Sequence, residues 1–286
     1  MGRRDATKLT DIDSMHVIMP LIYPNRCDNE AFMMETLDLT KLNEYLETKK
    51  GQDPDYKYNM FQFMVAAILK TIILRPNLNY FIANKTMWNR NFVSAAFTVK
   101  KEFKDDGGEN MAVIKVTKED TIDTIHEKVK KHVKACKDVN QNDPTTDIMD
   151  ILKKLPSPIL RLVGDVVCFL EKRGKAPAGL LETDPYQNSV VIANIGSLGS
   201  SVGLHHLTNF GTTSLFLLIG QMKKRPFWDE EGNMTMKPSV EVSFTIDERI
   251  ADGYYYTKSI RLFKKLVEEC PELLEKSLDT VPEGWT

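Results

Sequence analysis

The sequence predicts an α/β protein in which helices cover one mixed β-sheet, a two-layer sandwich. Three observations support this prediction. Strand-like and helix-like stretches are interleaved along the chain without strict alternation, residues 240–246 alternate apolar and polar side chains, and neither an internal repeat nor a low-complexity tract is present. Such interleaving is typical of a layered sandwich rather than of a barrel or a doubly wound parallel sheet.

The individual elements follow from the spacing of apolar residues. Helices are predicted where apolar residues recur every three or four positions, and strands where a short apolar run lies between turn residues. The predicted helices cover residues 39–46, 61–73, 122–136, 148–155, 159–170 and 260–270. The predicted strands cover residues 92–99, 111–116, 190–195, 215–219 and 240–246. The two helices within residues 137–184 form a helical insertion, because this connection is longer than the sandwich requires.

Composition restricts the class of protein. The chain has 286 residues and a formal net charge of -2, so it has no broad cationic surface, which argues against nucleic-acid binding driven by phosphate neutralisation. The uncharged stretch 185–222 is broken by glycine, asparagine and histidine, so it predicts two strands and no membrane span. The amino end has no apolar signal sequence and the four cysteines lie far apart, which together predict a cytoplasmic protein with reduced thiols.

Two adjacent histidines, His205 and His206, are candidates for a functional role. No Asp, Glu or Cys nearby in the sequence completes a set of metal ligands, so no metal site is predicted. Hydrogen-bonded loop histidines are the alternative interpretation.

A dense set of charges, TIDERIADG, follows the strand predicted at residues 240–246. Glu248 and Asp252 lie four positions apart with Arg249 between them. If the chain turns at Gly253, these charged side chains converge at a strand end, where catalytic groups are often displayed. A salt-bridged turn that joins the last helix to the sheet is the alternative.

TIDERIADG resembles the DHRxxDG signature of the acyltransferase catalytic core domain of 2-oxo acid dehydrogenase complexes, a relative of chloramphenicol acetyltransferase. ETLDLTKL at residues 35–42 resembles the first strand and helix entry of that family, LRPNLNYFI at 74–82 its proline-bounded helix end, and VVIANIGSLG at 190–199 its FTISNLG strand and turn. These segments follow the order of the family. The resemblance therefore indicates a single acyltransferase-like domain over residues 1–286.

The resemblance implies a homotrimer whose active sites lie in channels between neighbouring subunits, where a coenzyme A thioester meets an acyl acceptor. In the family a histidine is the general base, a serine hydroxyl donates to the oxyanion, and an Asp or Asn after the histidine fixes the geometry. In this sequence the corresponding positions hold Glu248, Ala193 and Asp252. Only Asp252 and the following Gly253 match the family.

Because Glu248 and Ala193 differ from the family's catalytic residues, the roles assigned here are hypotheses. Glu248 is the candidate base, since a dry channel between subunits would make its carboxylate a stronger base; a buried ion pair with Arg249 or Arg261 is the alternative. Asn194, through its side chain or its backbone N–H, is the candidate replacement for the serine hydroxyl. The candidate substrate-binding residues are Ala193, His205, His206 and Gly253.

The sequence thus predicts a coenzyme A-dependent acyltransferase that transfers an acyl group to a diffusible thiol, hydroxyl or amine. Coenzyme A or acyl-coenzyme A is expected as substrate, with no metal, no covalently attached lipoate, and no lipoyl or subunit-binding domain. A catalytically inactive trimeric scaffold is the alternative, because a general base contributes about 10²–10⁴ in rate and one oxyanion donor about 10²–10³. A third hypothesis is a peripheral membrane protein that uses the inserted helices, although packing of these helices against the sandwich or a neighbouring subunit is favoured over a membrane surface.

Overall fold

A mixed sheet with helices on one face forms the centre of the computed structural model, which describes residues 2–100, 109–137, 152–177 and 184–285. The strands are β1 (Ala6–Lys8), β2 (Glu30–Asp38), β3 (Tyr80–Ala83), β4 (Thr86–Arg90), β5 (Val93–Lys100), β6 (Glu109–Val116), β7 (Val190–Asn194), β8 (Leu215–Ile219), β9 (Lys223–Trp228) and β10 (Met234–Asp247). The helices are α1 (Ser14–Ile22), α2 (Thr40–Thr48), α3 (Met60–Leu74), α4 (Ile122–Lys137), α5 (Ser157–Lys172) and α6 (Gly253–Glu268).

The large sheet has the strand order β2-β10-β8-β7-β5-β6, and β9 pairs with the first half of β10. β7 runs parallel to both β5 and β8, whereas the other pairs are antiparallel. A small antiparallel sheet, β1-β4-β3, lies beside it. The predicted mixed-sheet α/β class is therefore confirmed.

The helical layer is built around α3, which is buried over nearly its whole length. Its start is fixed by a capping box, in which the Asn59 side chain accepts from the Gln62 N–H and the Gln62 side chain accepts from the Asn59 N–H. α4 and α6 pack on either side of α3, and α2 packs on α6. Together these helices and the inner face of the large sheet enclose the main hydrophobic core.

The outer face of β10 is also covered, by the segment after β7. Its polar residues had indicated a face exposed to solvent. Ser243 and Thr245 are buried, and their hydroxyls donate to the carbonyl oxygens of Gly203 and His205, each at 2.5 Å. The segment after β7 is thereby fixed against the sheet. This contact determines where His205 lies.

The predicted helical insertion is described in part. The helix predicted at residues 159–170 is α5, whereas the first half of the one predicted at 148–155 lies outside the described residues. α5 is held at its C-terminal end, where Arg3 Nη1 donates to the Glu171 carbonyl at 3.0 Å and Gln187 Nε2 donates to Glu171 Oε1 at 3.2 Å. In the described parts of the chain, no helix is long and apolar enough to cross a membrane.

The buried carboxyl of Asp184, just before β7, should make the free energy of unfolding depend on pH. Burial raises the pKa of its carboxyl to about 6, so between about pH 4 and 6 the folded protein holds a proton that the unfolded chain has lost. Folding stability therefore decreases as pH rises through this window. Relative to Asp184→Asn, the wild type is expected to lose about 1–3 kcal/mol of unfolding free energy between pH 4 and pH 7.

Urea unfolding at several pH values, at one protein concentration, measures this difference. Asp11→Asn, which changes an exposed carboxyl, is the control and should follow the wild-type curve. Parallel curves for the wild type and Asp184→Asn would contradict the prediction.

Candidate active site

Buried ion pairs fix the turn that follows β10. The Asp247 carboxylate is fully buried and binds the Arg249 guanidinium at both oxygens, with Nε–Oδ1 at 2.8 Å and Nη2–Oδ2 at 2.7 Å. Arg26, also buried, places Nε at 3.5 Å from Asp247 Oδ2, within ion-pair range but too far for a hydrogen bond. One carboxylate thus lies between two buried arginines.

The same two arginines connect the turn to distant parts of the chain. Arg249 Nη1 donates to the carbonyls of Tyr23 and Pro24, at 3.0 and 3.1 Å. Arg26 donates to the carbonyls of Thr208 and Gly211, at 2.6 and 3.0 Å. Burial lowers the pKa of Arg26, and the neighbouring Asp247 carboxylate acts in the opposite direction. The turn is therefore fixed by the segment after α1 and by the loop that leads into β8.

Glu248 lies on the solvent side of this turn. Its side chain is exposed in the single chain, and its N–H donates to the Asn29 carbonyl at 2.8 Å. Asp252 is also exposed and caps α6, because its Oδ1 accepts from the Tyr255 N–H at 2.8 Å. Gly253 is the first residue of α6.

The expected convergence of Glu248, Arg249 and Asp252 is wrong. Arg249 turns into the core and binds Asp247, while the two acids stay at the surface. The alternative of an ion pair between Glu248 and Arg249 is wrong for the same reason, and among the described residues Glu248 forms no ion pair with Arg261 either. A salt-bridged turn does exist, but Asp247 supplies its carboxylate.

A cleft of about 580 Å³ opens at the end of β7. It brings together three of the predicted site residues, Ala193, Asn194 and His205. Its other walls are mainly apolar and include Met60, Phe61, Phe97, Val99, Leu218 and Met222. His206 does not line the cleft; it is exposed, and its Nδ1 lies 2.8 Å from the Leu207 carbonyl.

Local hydrogen bonds and ring stacking hold three of the polar side chains that line the cleft. Asn194 Oδ1 accepts from the Ser197 N–H at 3.3 Å, and Ser197 Oγ donates to the Asn194 carbonyl at 2.8 Å. The His205 ring stacks on Phe216, with centroids 4.0 Å apart. Its Nδ1 lies 2.7 Å from the His206 carbonyl, so Nδ1 carries the proton and Nε2 is the basic nitrogen of the neutral ring.

Ser197 was not among the predicted site residues. It lines the cleft four positions after Ala193 and carries the hydroxyl that position 193 lacks. Its position in the strand-and-turn segment IANIGSLG could have indicated Ser197, because a tight turn after a strand places side chains near the strand end.

Within a single chain, Glu248 lies far from this cleft. Ala193 pairs with Leu218, and Leu218 pairs with Ser243. Glu248 lies five residues beyond Ser243, so with about 3.3 Å per residue and about 4.8 Å between strands the two positions are roughly 20 Å apart. A site that contains both must take them from different protomers.

Asp53, His126 and Glu127 are close enough together to hold a metal ion, with ligand atoms within 4.8 Å of one another. His126 Nε2 lies 2.9 Å from Asp53 Oδ2, and the Lys130 ammonium donates to the same oxygen at 2.5 Å. The lysine thus occupies the cation position beside Asp53. This arrangement favours an ion-pair cluster over a metal site.

Residues 171–275 match the family model of the 2-oxoacid dehydrogenases acyltransferase (catalytic domain). The matched range contains β7, the cleft residues that follow it, β10 and the turn with Glu248. No curated protein matches the chain.

Solved structures share the fold over most of the chain. A probable dihydrolipoamide acetyltransferase from Listeria monocytogenes is 17% identical and has a TM-score of 0.59, with 92% of this chain and 95% of that chain covered. The cubic core of the pyruvate dehydrogenase multienzyme complex is 13% identical with a TM-score of 0.54, covering 93% and 94%. A chloramphenicol acetyltransferase is 12% identical with a TM-score of 0.53, covering 93% and 99%.

These findings confirm the resemblance inferred from the sequence. The chain has the chloramphenicol acetyltransferase-like fold of the acyltransferase cores, and its residues 171–275 are similar in sequence to the 2-oxoacid dehydrogenase acyltransferase catalytic domain.

Proposed function

We propose that the protein is a coenzyme A-dependent acyltransferase that acts as a homotrimer, with each active site built from Glu248 of one protomer and the Ala193 cleft of its neighbour. The observation that carries this proposal is the separation of roughly 20 Å between the two positions in one chain. Both correspond to catalytic positions in the family that the chain resembles. The cubic core, itself an assembly of many chains, shares this fold.

In the proposed reaction Glu248 accepts the proton of a thiol, hydroxyl or amine as that group attacks the thioester carbonyl. The tetrahedral oxyanion forms beside Asn194 and Ser197, and its collapse expels the coenzyme A thiolate, which takes the proton from Glu248. Atoms and charge balance without a metal or redox partner. Asp252 supports the geometry by fixing the start of α6.

Water must be excluded for this chemistry, because a carboxylate that is exposed to water is a weak base. The single chain leaves Glu248 exposed, but a neighbouring protomer over the turn would desolvate it. The Asp247 ion pairs help here, since they hold the Glu248 backbone rigidly and leave its side chain unpaired with Arg249. The chain therefore presents Glu248 from a fixed backbone position for a partner to cover.

The Ala193 cleft suits an acyl thioester. Its walls are mainly apolar, and a minority of polar side chains, Asn59, Thr98, Lys100, Asn194, Ser197 and His205, also line it. This combination is typical of sites that bind an apolar chain and orient it with a few polar groups. Coenzyme A or acyl-coenzyme A is the proposed substrate, and the acceptor is diffusible. No lipoate attached to this chain is invoked.

An inactive trimeric scaffold is the second candidate, and the alanine at position 193 favours it because the family's serine hydroxyl is absent. Titration calorimetry with coenzyme A and acetyl-coenzyme A separates the two. Micromolar binding is expected of the enzyme, whereas an assembled trimer that binds neither would support the scaffold.

Complementation between two inactive variants tests the shared site. Glu248→Gln removes the base and Ala193→Trp fills the cleft, so each pure variant is expected to be inactive. In trimers assembled from an equal mixture, about a quarter of the sites combine an intact Glu248 with an intact cleft from the neighbouring protomer. Turnover of acyl-coenzyme A should return to about a quarter of the wild-type value.

A site contained within one protomer gives the opposite result. Every protomer in the mixture carries one of the two defects, so no activity would return. Size-exclusion chromatography of both variants and of the mixture verifies that all samples are assembled to the same extent.

A further inference from the structure

α5 exposes an apolar stripe along one side. Ile159, Leu162, Val166 and Phe169 follow one another at helical spacing, and their exposed fractions are 49%, 64%, 48% and 55%. We call these four residues the α5 stripe. At about 1.5 Å per residue the stripe is about 15 Å long.

The stripe faces away from the body of the protein. On another side of the helix Glu171 is buried, where it contacts Arg3 and Gln187. Within the described residues no strand or other helix packs extensively along α5. The helix is thus anchored at its C-terminal end with the apolar side toward solvent.

Cationic residues precede and follow the stripe in the sequence, and the Arg173 guanidinium lies over the Phe169 ring. Glu171 is paired with Arg3, so Asp165 is the exposed acid of α5. The cationic residues before, within and after the helix are Lys153, Lys154, Arg161, Lys172, Arg173 and Lys175. This local excess contrasts with a net charge of -2 for the whole chain.

A second exposed apolar helix, α1, has the opposite electrostatic surroundings. Met15, Ile18 and Ile22 are exposed there, but Asp11 and Asp13 precede the helix and α1 itself contains no lysine or arginine. Anionic headgroups would repel this end of the molecule, so α1 suits a contact with protein. Charge therefore distinguishes α5 from α1.

We propose that α5 binds the surface of an anionic lipid bilayer. The α5 stripe inserts at the boundary between headgroups and acyl chains, and the surrounding lysines and arginines contact headgroup phosphates. The helix lies in the plane of the membrane and does not cross it, because it has only 16 residues. This inference is independent of the proposed catalytic activity.

Vesicle flotation of the purified full-length protein tests the proposal. The wild type is expected to float with vesicles of phosphatidylcholine containing about one third phosphatidylglycerol, and not with phosphatidylcholine alone. Replacing Leu162, Val166 and Phe169 together by serine should weaken partitioning about tenfold or more, because the apolar area available for insertion is lost. As a matched control, Met234→Ser with Met236→Ser removes exposed apolar side chains from the β9–β10 hairpin and should leave flotation unchanged.

A charge variant provides a test that does not alter the stripe. Lys172→Glu with Lys175→Glu should weaken binding to the anionic vesicles several-fold and reduce its dependence on salt. Circular dichroism and the thermal midpoint should not change in either α5 variant, since the altered side chains are exposed.

Three outcomes would overturn the proposal. The first is a wild type that fails to float with anionic vesicles, and the second is a stripe variant that floats as well as the wild type. The third is a stripe variant that forms a smaller assembly than the wild type by analytical ultracentrifugation, which would show that the stripe packs against a second copy of the chain.

Discussion

Replacing Asp247 by asparagine is expected to lower the free energy of unfolding by about 3–5 kcal/mol. The substitution leaves the guanidinium groups of Arg249 and Arg26 buried without their carboxylate, and an unpaired buried charge is strongly unfavourable. Asparagine has nearly the same shape as aspartate, so the effect comes from the charge and not from a cavity. Urea unfolding at fixed protein concentration measures it.

The adjacent residue provides the control. Glu248→Gln removes a carboxylate one position away, but that side chain is exposed, so the free energy of unfolding should change by no more than about 0.5 kcal/mol. Equal urea midpoints for Asp247→Asn and the wild type would show that the buried arginines do not depend on Asp247.

The proposed function predicts that Glu248→Gln lowers the turnover of acyl-coenzyme A by a factor of about 10²–10⁴ without changing the size of the assembly. Glutamine keeps the size and polarity of the side chain but cannot accept a proton from the attacking group. Release of the coenzyme A thiol, followed with a thiol reagent, measures turnover. Affinity for coenzyme A, measured by calorimetry, should remain near the wild-type value.

His205 is the competing base, because its Nε2 is the basic ring nitrogen and the residue lines the Ala193 cleft. His205→Asn is therefore measured in parallel with Glu248→Gln. Unchanged turnover in Glu248→Gln together with a large loss in His205→Asn would remove Glu248 from the mechanism and assign proton transfer to His205.

The elements that bury a continuous apolar face could be predicted from the sequence. The helix predicted at residues 61–73 is Met60–Leu74, and the strand predicted at 215–219 is Leu215–Ile219. β1, α1, β3, β4 and β9 were not predicted, and β2 was indicated only by the family resemblance at residues 35–42. β1 has only three residues and exists because it pairs with β4, far away in the chain, so its own sequence carries little signal.

The candidate site was predictable where it depends on local sequence and not where it depends on packing. The resemblance at residues 190–199 located Ala193 and Asn194, which do line the cleft. The resemblance did not indicate that Asp247 binds Arg249. This ion pair depends on the burial of Asp247 beside Arg26, which lies far away in the sequence. The direction of the Glu248 side chain follows from the same packing.

The pairing of β2 with β10 has a consequence for biosynthesis. The register runs from Asp38 opposite Ser239 to Glu30 opposite Asp247, so the turn that carries Glu248 rests on two strands that lie roughly 200 residues apart in the chain. The nascent chain must therefore carry β2 without its partner until β10 has been synthesised. Until then the apolar side chains of Phe32 and Met34 lie on an unpaired strand, and contacts of such long range slow the formation of the turn.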